Sequence, residues 1–332
     1  MVADRIEYAQ SWADYRKVTN AASMWYNGYA DSIGPDNRLR TSFRQNGTRS
    51  TRFSVERVNL QAIPQDYRLT GYDILSGLPT PRGIIGAAVK EFYPGYHLYE
   101  LDLAQAELRV AAWLADCTTM LRMINEGADL HTYTTKELFD MGPDHPEFGK
   151  YRQVGKRGNF SLIFGSGPAT FKGMVSKETG ILLEDHEASR IVREWNALYP
   201  EFSDAIDKHM LRVERRQVRH GYGWIDLLNG ERRYFQRHED VHKAFNQRVQ
   251  PNLAQFGISW MLKSEAILQS AGIGLPGAGD GMLLVVHDSQ VILVPATEEG
   301  KQVVEACRQA GKDLWHNWFP VPGDVDVKLW SH

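Results

Sequence analysis

The sequence predicts a mixed α+β fold, and three observations lead there. Short apolar runs of strand character, at 97–103, 282–286 and 290–294, are embedded among much longer stretches of helical periodicity. Glycine-, proline- and aspartate-rich punctuation separates them. No repeat or low-complexity tract breaks the chain. In order, residues 5–26 read as a helix, with Ile6, Ala9, Trp12, Ala13 and Tyr15 near helical spacing, and 36–66 as extended and loop-rich. The strand at 97–103 runs into a helix at 104–115. Residues 117–220 are mainly helical, broken near 142–146 and 165–168, and a long helix is expected at 252–270. A Gly-rich stretch at 272–281 leads to the strand at 282–286, a sharp turn at His287 and Asp288, and a returning strand at 290–294. A helix at 298–312 and a strand at 324–329 close the sequence.

Bulk properties narrow the classes. With 332 residues, 42% apolar and 24% charged, the chain has the composition of a globular protein with one large or two modest domains. No apolar run approaches the ~18–20 residues of a membrane span, and the polar, acid-bearing N-terminal stretch is not a signal peptide. Cys117 and Cys307 lie far apart without metal spacing, which predicts a reducing cytoplasm and no disulfide framework. The net charge of −3 argues against a simple basic nucleic-acid coat protein. Its distribution is uneven, however: Arg38, Arg40, Arg44, Arg49, Arg52 and Arg57 crowd one stretch, and Lys208, Arg212, Arg215, Arg216, Arg219, Arg232, Arg233 and Arg237 another. Such segregation fits a phosphate-tracking surface as well as ordinary solvated faces.

Three blocks could carry chemistry. In the first, Asp102 stands where a buried strand exits into a helix, a place suited to holding magnesium, which takes carboxylate oxygens and keeps water or phosphate as its other ligands. Alone, Asp102 reads equally as a helix N-cap. In the second, Asp288 sits at the tip of a turn between two apolar strands, where a carboxylate is costly unless solvated, paired or bound to a cation; alone it is also an ordinary turn residue. Two such acids side by side could hold two ions roughly 3.5–4 Å apart. In the third, Arg152, Lys156, Phe160 and Phe164 recur every four residues on one helix stripe. Two cations followed by two rings suit a nucleoside triphosphate, or a solvated basic end merging into a buried face. Gly155 and Gly158 within that helix each cost ~1 kcal/mol relative to Ala and suggest close packing or a bend.

Taken together, the blocks resemble motifs A, B and C of family A DNA polymerases. Motif A, D-Y-S-Q-I-E-L-R, is similar to Asp102-Leu103-Ala104-Gln105-Ala106-Glu107-Leu108-Arg109. Motif B, R-x3-K-x3-F-x3-Y-G, is similar to Arg152 through Gly165, and motif C, V-H-D-E, to Val286-His287-Asp288-Ser289. Asp129-Leu130-His131, Arg52-Phe53-Ser54, the Asn59–Pro64 stretch and the Ala244–Gln250 stretch resemble further family segments, so the likeness spans roughly residues 5–330.

The resemblance implies a right-hand polymerase: an antiparallel palm sheet with helices, from 1–116 (with a thumb-base helix) and 237–332, and helical fingers at 117–236. Thumb and exonuclease domains would be absent. It implies template-directed DNA synthesis by two-metal phosphoryl transfer, with two Mg2+ ions or Mn2+ in their place, in the cytoplasm of a bacterium or phage-infected cell. Asp102, Asp288 and the carbonyl of Leu103 are implied as metal ligands. Arg152, Lys156 and His131 are implied at the triphosphate, Gln105 and Glu107 at the incoming sugar, and Phe160 and Phe164 at the nucleotide. Arg52, Asn59, Gln61, Arg109, Asn246, Gln250 and His287 would line the primer–template. Partners would be primer–template DNA, deoxynucleoside triphosphates and a separate polypeptide supplying thumb and exonuclease, with no membrane. Two other readings are a single-subunit RNA polymerase relative and a non-catalytic nucleic-acid-binding subunit. The sequence departs from the family at Leu103, Ser289, Phe164 and Pro251, and Ser289 removes one carboxylate from the expected metal site. His238 and His242 around Asp240 read as a surface cluster, and the tryptophans as core.

Overall fold

The computed structural model describes residues 2–45, 47–63, 75, 77–236, 238–275 and 279–330. Pro64, Arg237 and the side chains of Ile6, Ala9 and His238, all singled out above, lie outside the described residues, as does Gly277 of the Gly-rich stretch.

Helix α1 (Val2–Ala21) continues through a π turn into α2 (Gly28–Ala30), and β1 (Ser42–Arg44) pairs antiparallel with β2 (Ser54–Glu56). The stripe expected on α1 is not a buried face: Trp12 and Tyr15 are 54% and 66% exposed. The arm is anchored instead beyond it, where Ala21, Trp25 and Tyr29 bury against Val58 and Leu75. Helix α3 (Pro81–Phe92) has no counterpart in the sequence reading. Its start is nonetheless chemically encoded: the Thr80 hydroxyl accepts from Gly83 N–H, and Pro81 fills the first helical position.

Strand β3 (Tyr96–Leu103) feeds α4 (Ala106–Ala115), followed by α5 (Thr118–Asn125), α6 (Leu130–Phe139), α7 (Phe148–Leu162), α8 (Pro168–Thr179), α9 (Asp185–Leu198) and α10 (Glu201–His220). The hairpin of β4 (Gly223–Asp226) and β5 (Arg232–Phe235) precedes α11 (Asn246–Ser270); β6 (Gly281–Val286), β7 (Ser289–Pro295), α12 (Glu298–Trp318) and β8 (Val325–Leu329) complete the order. Helix α11 starts at Asn246, earlier than expected, and carries Pro251 inside it. Among the described residues no helix is long and apolar enough to cross a membrane.

The main sheet runs β6-β7-β3-β8, every pair antiparallel. Side chains alternate between its two faces. On one face Leu101, Leu103, Ile292 and Val294 join the large core with Trp260, Trp315, Phe256 and Phe319. On the other, Leu98, Leu284, Val291, Leu293 and Trp330 pack with Ile85 and Val89 of α3. Six consecutive residues of β7 are buried because both faces are covered. The helical stretch packs closely where the sequence placed glycine: a Cβ on Gly155 of α7 would stand 2.5 Å from Thr135 Oγ1 of α6. The β4–β5 hairpin turns Ile225 and Phe235 inward and leaves Trp224 on its other face, between the guanidinium groups of Arg216 and Arg232. For Trp224 the core expectation is therefore corrected.

Candidate active site

The two acids meet because β3 lies beside β7. Asp102 is paired in register with Ser289, and Leu103 N–H donates to Asp288 O at 3.4 Å. Asp102 is not a helix cap, since the N-cap position of α4 is Gln105. Gln105 and His287 both adopt left-handed backbone, φ 53° and 52°. Each costs roughly 1–3 kcal/mol for a residue with a Cβ, and together they set the turns beside Asp102 and Asp288, which lie close enough to interact electrostatically. Asp102 also faces Asp326 across β8.

Charge around this pair is crowded. Asp102 is pushed up to about 6, first by burial; Lys328, with Nζ 3.9 Å away, pulls it down, and Glu100, Asp288 and Asp326 add to the rise. Arg52 reaches in from the loop before β2: its Nη2 is 2.7 Å from Glu107 Oε1 and 3.3 Å from Asp288 Oδ1. Gln250 donates to the same Glu107 oxygen at 3.3 Å. Sequence reasoning missed Glu100, whose carboxylate is buried beside Ser289 Oγ (3.5 Å) and held by Arg82 and Trp330 Nε1. The acid missing at Ser289 is thus matched by one from β3, although Glu100 is already engaged. Period-two alternation on β3 placed Glu100 on the Asp102 face and was the available signal.

The donor set fits hard divalent cations. Among the described residues no three His, Cys, Asp or Glu side chains gather as a closed metal site. Two carboxylates and a strand-end carbonyl leave coordination positions for water and phosphate, which Mg2+ and similar ions accept. Such an ion would relieve the crowding of Glu100, Asp288 and Asp326 around Asp102, which adds to the rise that burial causes.

On α7, Arg152, Lys156 and Phe160 do form one stripe, each partly buried. Arg152 Nη2 is 2.5 Å from Asp129 Oδ2; Asp129 also caps α6 through His131 N–H and Thr132 N–H. Lys156 has no ion-pair partner among the described residues, and burial lowers its pKa. The Phe160 ring lies 5.5 Å from the His131 ring, and Phe164, past the end of α7, packs 6.4 Å from Phe245. Asn59 caps a short 3-10 turn, and Gln61 Nε2 donates to Val285 O. Asn246 begins α11. Burial lowers the pKa of His287. Arg109 is spent on carbonyls of Ala104 and Pro322, where it braces the turn after β3. Near Asp240, Arg49 and Lys243 hold the carboxylate in ion pairs.

Burial lowers two histidines, His131 and His209, to about 4. Both stay neutral when folded but titrate near 6.5 when unfolded, so the unfolded state takes up more protons between these values. Stability should be fully present above about pH 6.5 and fall as pH drops toward 4, by on the order of 2–3 kcal/mol per group at the acid end. Asp102, raised, works in the opposite direction over part of that range. Urea unfolding at pH 7 and pH 5 measures the sum; equal stabilities would contradict the buried-neutral state of these rings.

A profile of one known family, DNA polymerase family A, matches residues 1–330. This chain belongs to DNA polymerase family A. It is 29% identical over 329 residues to the thermostable DNA polymerase I of Thermus aquaticus, covering 95% of this chain and 35% of that protein. With DNA polymerase I of Rhizobium leguminosarum it shares 24% identity, over 89% of this chain and 27% of the relative. It therefore spans about a third of the length of these family A relatives. In fold it is similar to the POL domain of Pol1 from M. smegmatis, solved in complex with DNA primer-template and dNTP. The TM-score is 0.69 at 22% identity, over 92% of this chain and 50% of that one. The α+β polymerase fold expected from the sequence is the fold observed.

Proposed function

We propose that this chain is a template-directed DNA polymerase core that adds deoxynucleotides to a primer 3′ end. The observation that carries the reading is the meeting of Asp102 and Asp288 at the ends of adjoining strands, with Arg52 bonded to Asp288 and to Glu107, which Gln250 also holds. Family membership supports it. In this reading residues 1–116 and 237–332 form the palm and 117–236 the fingers. Asp102, Asp288 and the Leu103 carbonyl would hold two divalent ions, Mg2+ with Mn2+ as alternative. Those ions would activate the primer 3′ hydroxyl and offset charge on the leaving pyrophosphate.

The chain's own groups do the rest. Lys156, without an ion-pair partner among the described residues, and Arg152, shared with Asp129, supply positive charge for the triphosphate. Phe160 offers a ring to the nucleotide. Deoxynucleoside triphosphates and primer–template DNA are the proposed partners. Primer extension with Mg2+, and with the metal chelated, tests the function: templated products only with the ion are expected, and none in either condition would remove the reading.

Glu107 is fixed by Arg52 and Gln250 at 2.7 and 3.3 Å, so it is a rigid wall rather than a free side chain. If it borders the sugar, Glu107→Ala should raise ribonucleotide use relative to deoxynucleotide by about tenfold or more. Single-nucleotide competition assays read this ratio; an unchanged ratio would take Glu107 away from the sugar.

A further inference from the structure

His131, on α6, is buried at 4% exposure, and the network around it fixes which of its ring nitrogens carries the proton. Trp195 Nε1 can only donate, and it lies 2.9 Å from Asn159 Oδ1. The amide oxygen must therefore face Trp195, which turns the NH2 group toward His131 and Thr134. Asn159 Nδ2 is 3.2 Å from His131 Nδ1 and 2.9 Å from Thr134 Oγ1. Thr134 Oγ1 gives its own proton to Leu130 O at 2.8 Å. It is then free to accept from Tyr199 Oη, also at 2.8 Å, and burial keeps that phenol protonated. A proton on His131 Nδ1 would point at the Asn159 NH2 group, which cannot accept it, so Nδ1 carries a lone pair and no proton.

We infer that Asn159 is a positioning residue that locks His131 in the neutral form protonated at Nε2. Nε2 has no partner among the described residues and is not sealed from solvent. His131 thus presents an uncharged N–H donor, braced by the Phe160 ring. Charge on this part of the site is left to Arg152 and Lys156. Depending on the proposed polymerase reading, the acceptor for that N–H is a phosphate oxygen of the incoming nucleotide. The charged groups acting on His131 are Asp129, Lys156, Arg152 and Arg157, of which only Asp129 favours protonation. The three cations and burial reinforce the neutral state that Asn159 requires.

Long-range 1H–15N correlation on the 15N-histidine-labelled chain, with His131 assigned by comparison with His131→Asn, should show Nε2 protonated and Nδ1 bare at pH 7. A proton on Nδ1 overturns the lock whatever the variants do. In Asn159→Asp a carboxylate of the same shape keeps an acceptor for Trp195 but replaces the NH2 donor, so Nδ1 must take up a proton. The spectrum should change accordingly, and a retained Nε2–H, bare-Nδ1 pattern would also overturn the lock. The KM for deoxynucleotide, taken as the ratio of variant to parent, should then rise about tenfold as pH increases through the new imidazolium pKa, because the neutral ring would turn a lone pair outward. If the spectra change as expected but this ratio stays flat, the lock stands and the contact with the triphosphate is lost from the proposed function.

Discussion

Replacing either strand-end acid, in Asp102→Ala or Asp288→Ala, should reduce nucleotide incorporation by about 10³-fold or more, while primer–template affinity changes little. The reasoning rests on scarcity. The neighbouring glutamates are already engaged: Glu100 is held by Arg82 and Trp330, and Glu107 by Arg52 and Gln250. A hard cation would lose one of only two protein carboxylates, and water cannot replace its charge. Single-turnover extension beside a filter-binding measurement separates chemistry from binding. Incorporation within tenfold of the parent by either variant would remove both acids from the chemical step.

Arg52→Ala should cost about 3 kcal/mol of stability. The guanidinium is mostly buried and touches Glu107 and Asp288 at once, so its removal leaves two part-buried carboxylates facing each other without a counter-charge. The same geometry makes a second, opposite expectation. With Arg52 gone, a divalent cation is the nearest remedy, so Mg2+ should raise the melting temperature of Arg52→Ala more than that of the parent. Thermal unfolding with and without Mg2+ decides this. A smaller rise in the variant would mean that Arg52 helps to hold the metal site rather than standing in for the ion.

Much of this was legible in the sequence, for local reasons. The strand at 97–103, the turn at His287 and Asp288 and the stripe from Arg152 to Phe160 follow from periodicities of 2 and 3.6 residues and from turn chemistry. What stayed hidden was long-range. Arg52 is one of six arginines crowded into the 38–57 stretch, and nothing in its neighbourhood says that it, rather than the others, will end between Glu107 and Asp288. Glu100 reads as a polar residue on a strand until Ser289, Arg82 and Trp330 arrive around it. Asn159 looks like filler between Gly158 and Phe160, because its partners His131, Thr134 and Trp195 come from two other helices. The β4–β5 hairpin and α3 escaped because the strands are four residues each and the helix starts next to a segment without clear periodicity. Helix α11 begins at Asn246, ahead of the expected residue 252, and passes through Pro251.

The order of strands in the sheet has a kinetic consequence. Strand β3 is central, and both of its neighbours, β7 and β8, come from the far end of the sequence. The helices from α4 to α10 can pair with near neighbours while the chain is still growing, but β3 has no partner until the last strands emerge from the ribosome. Non-local pairing of this kind is slow, since loop-closure entropy must be met before the contacts form. During that interval an apolar strand edge ending in Asp102 is exposed to misassociation. In pulsed hydrogen exchange during refolding, amides of α6 and α7 should gain protection first, and those of β3 and β7 together and last.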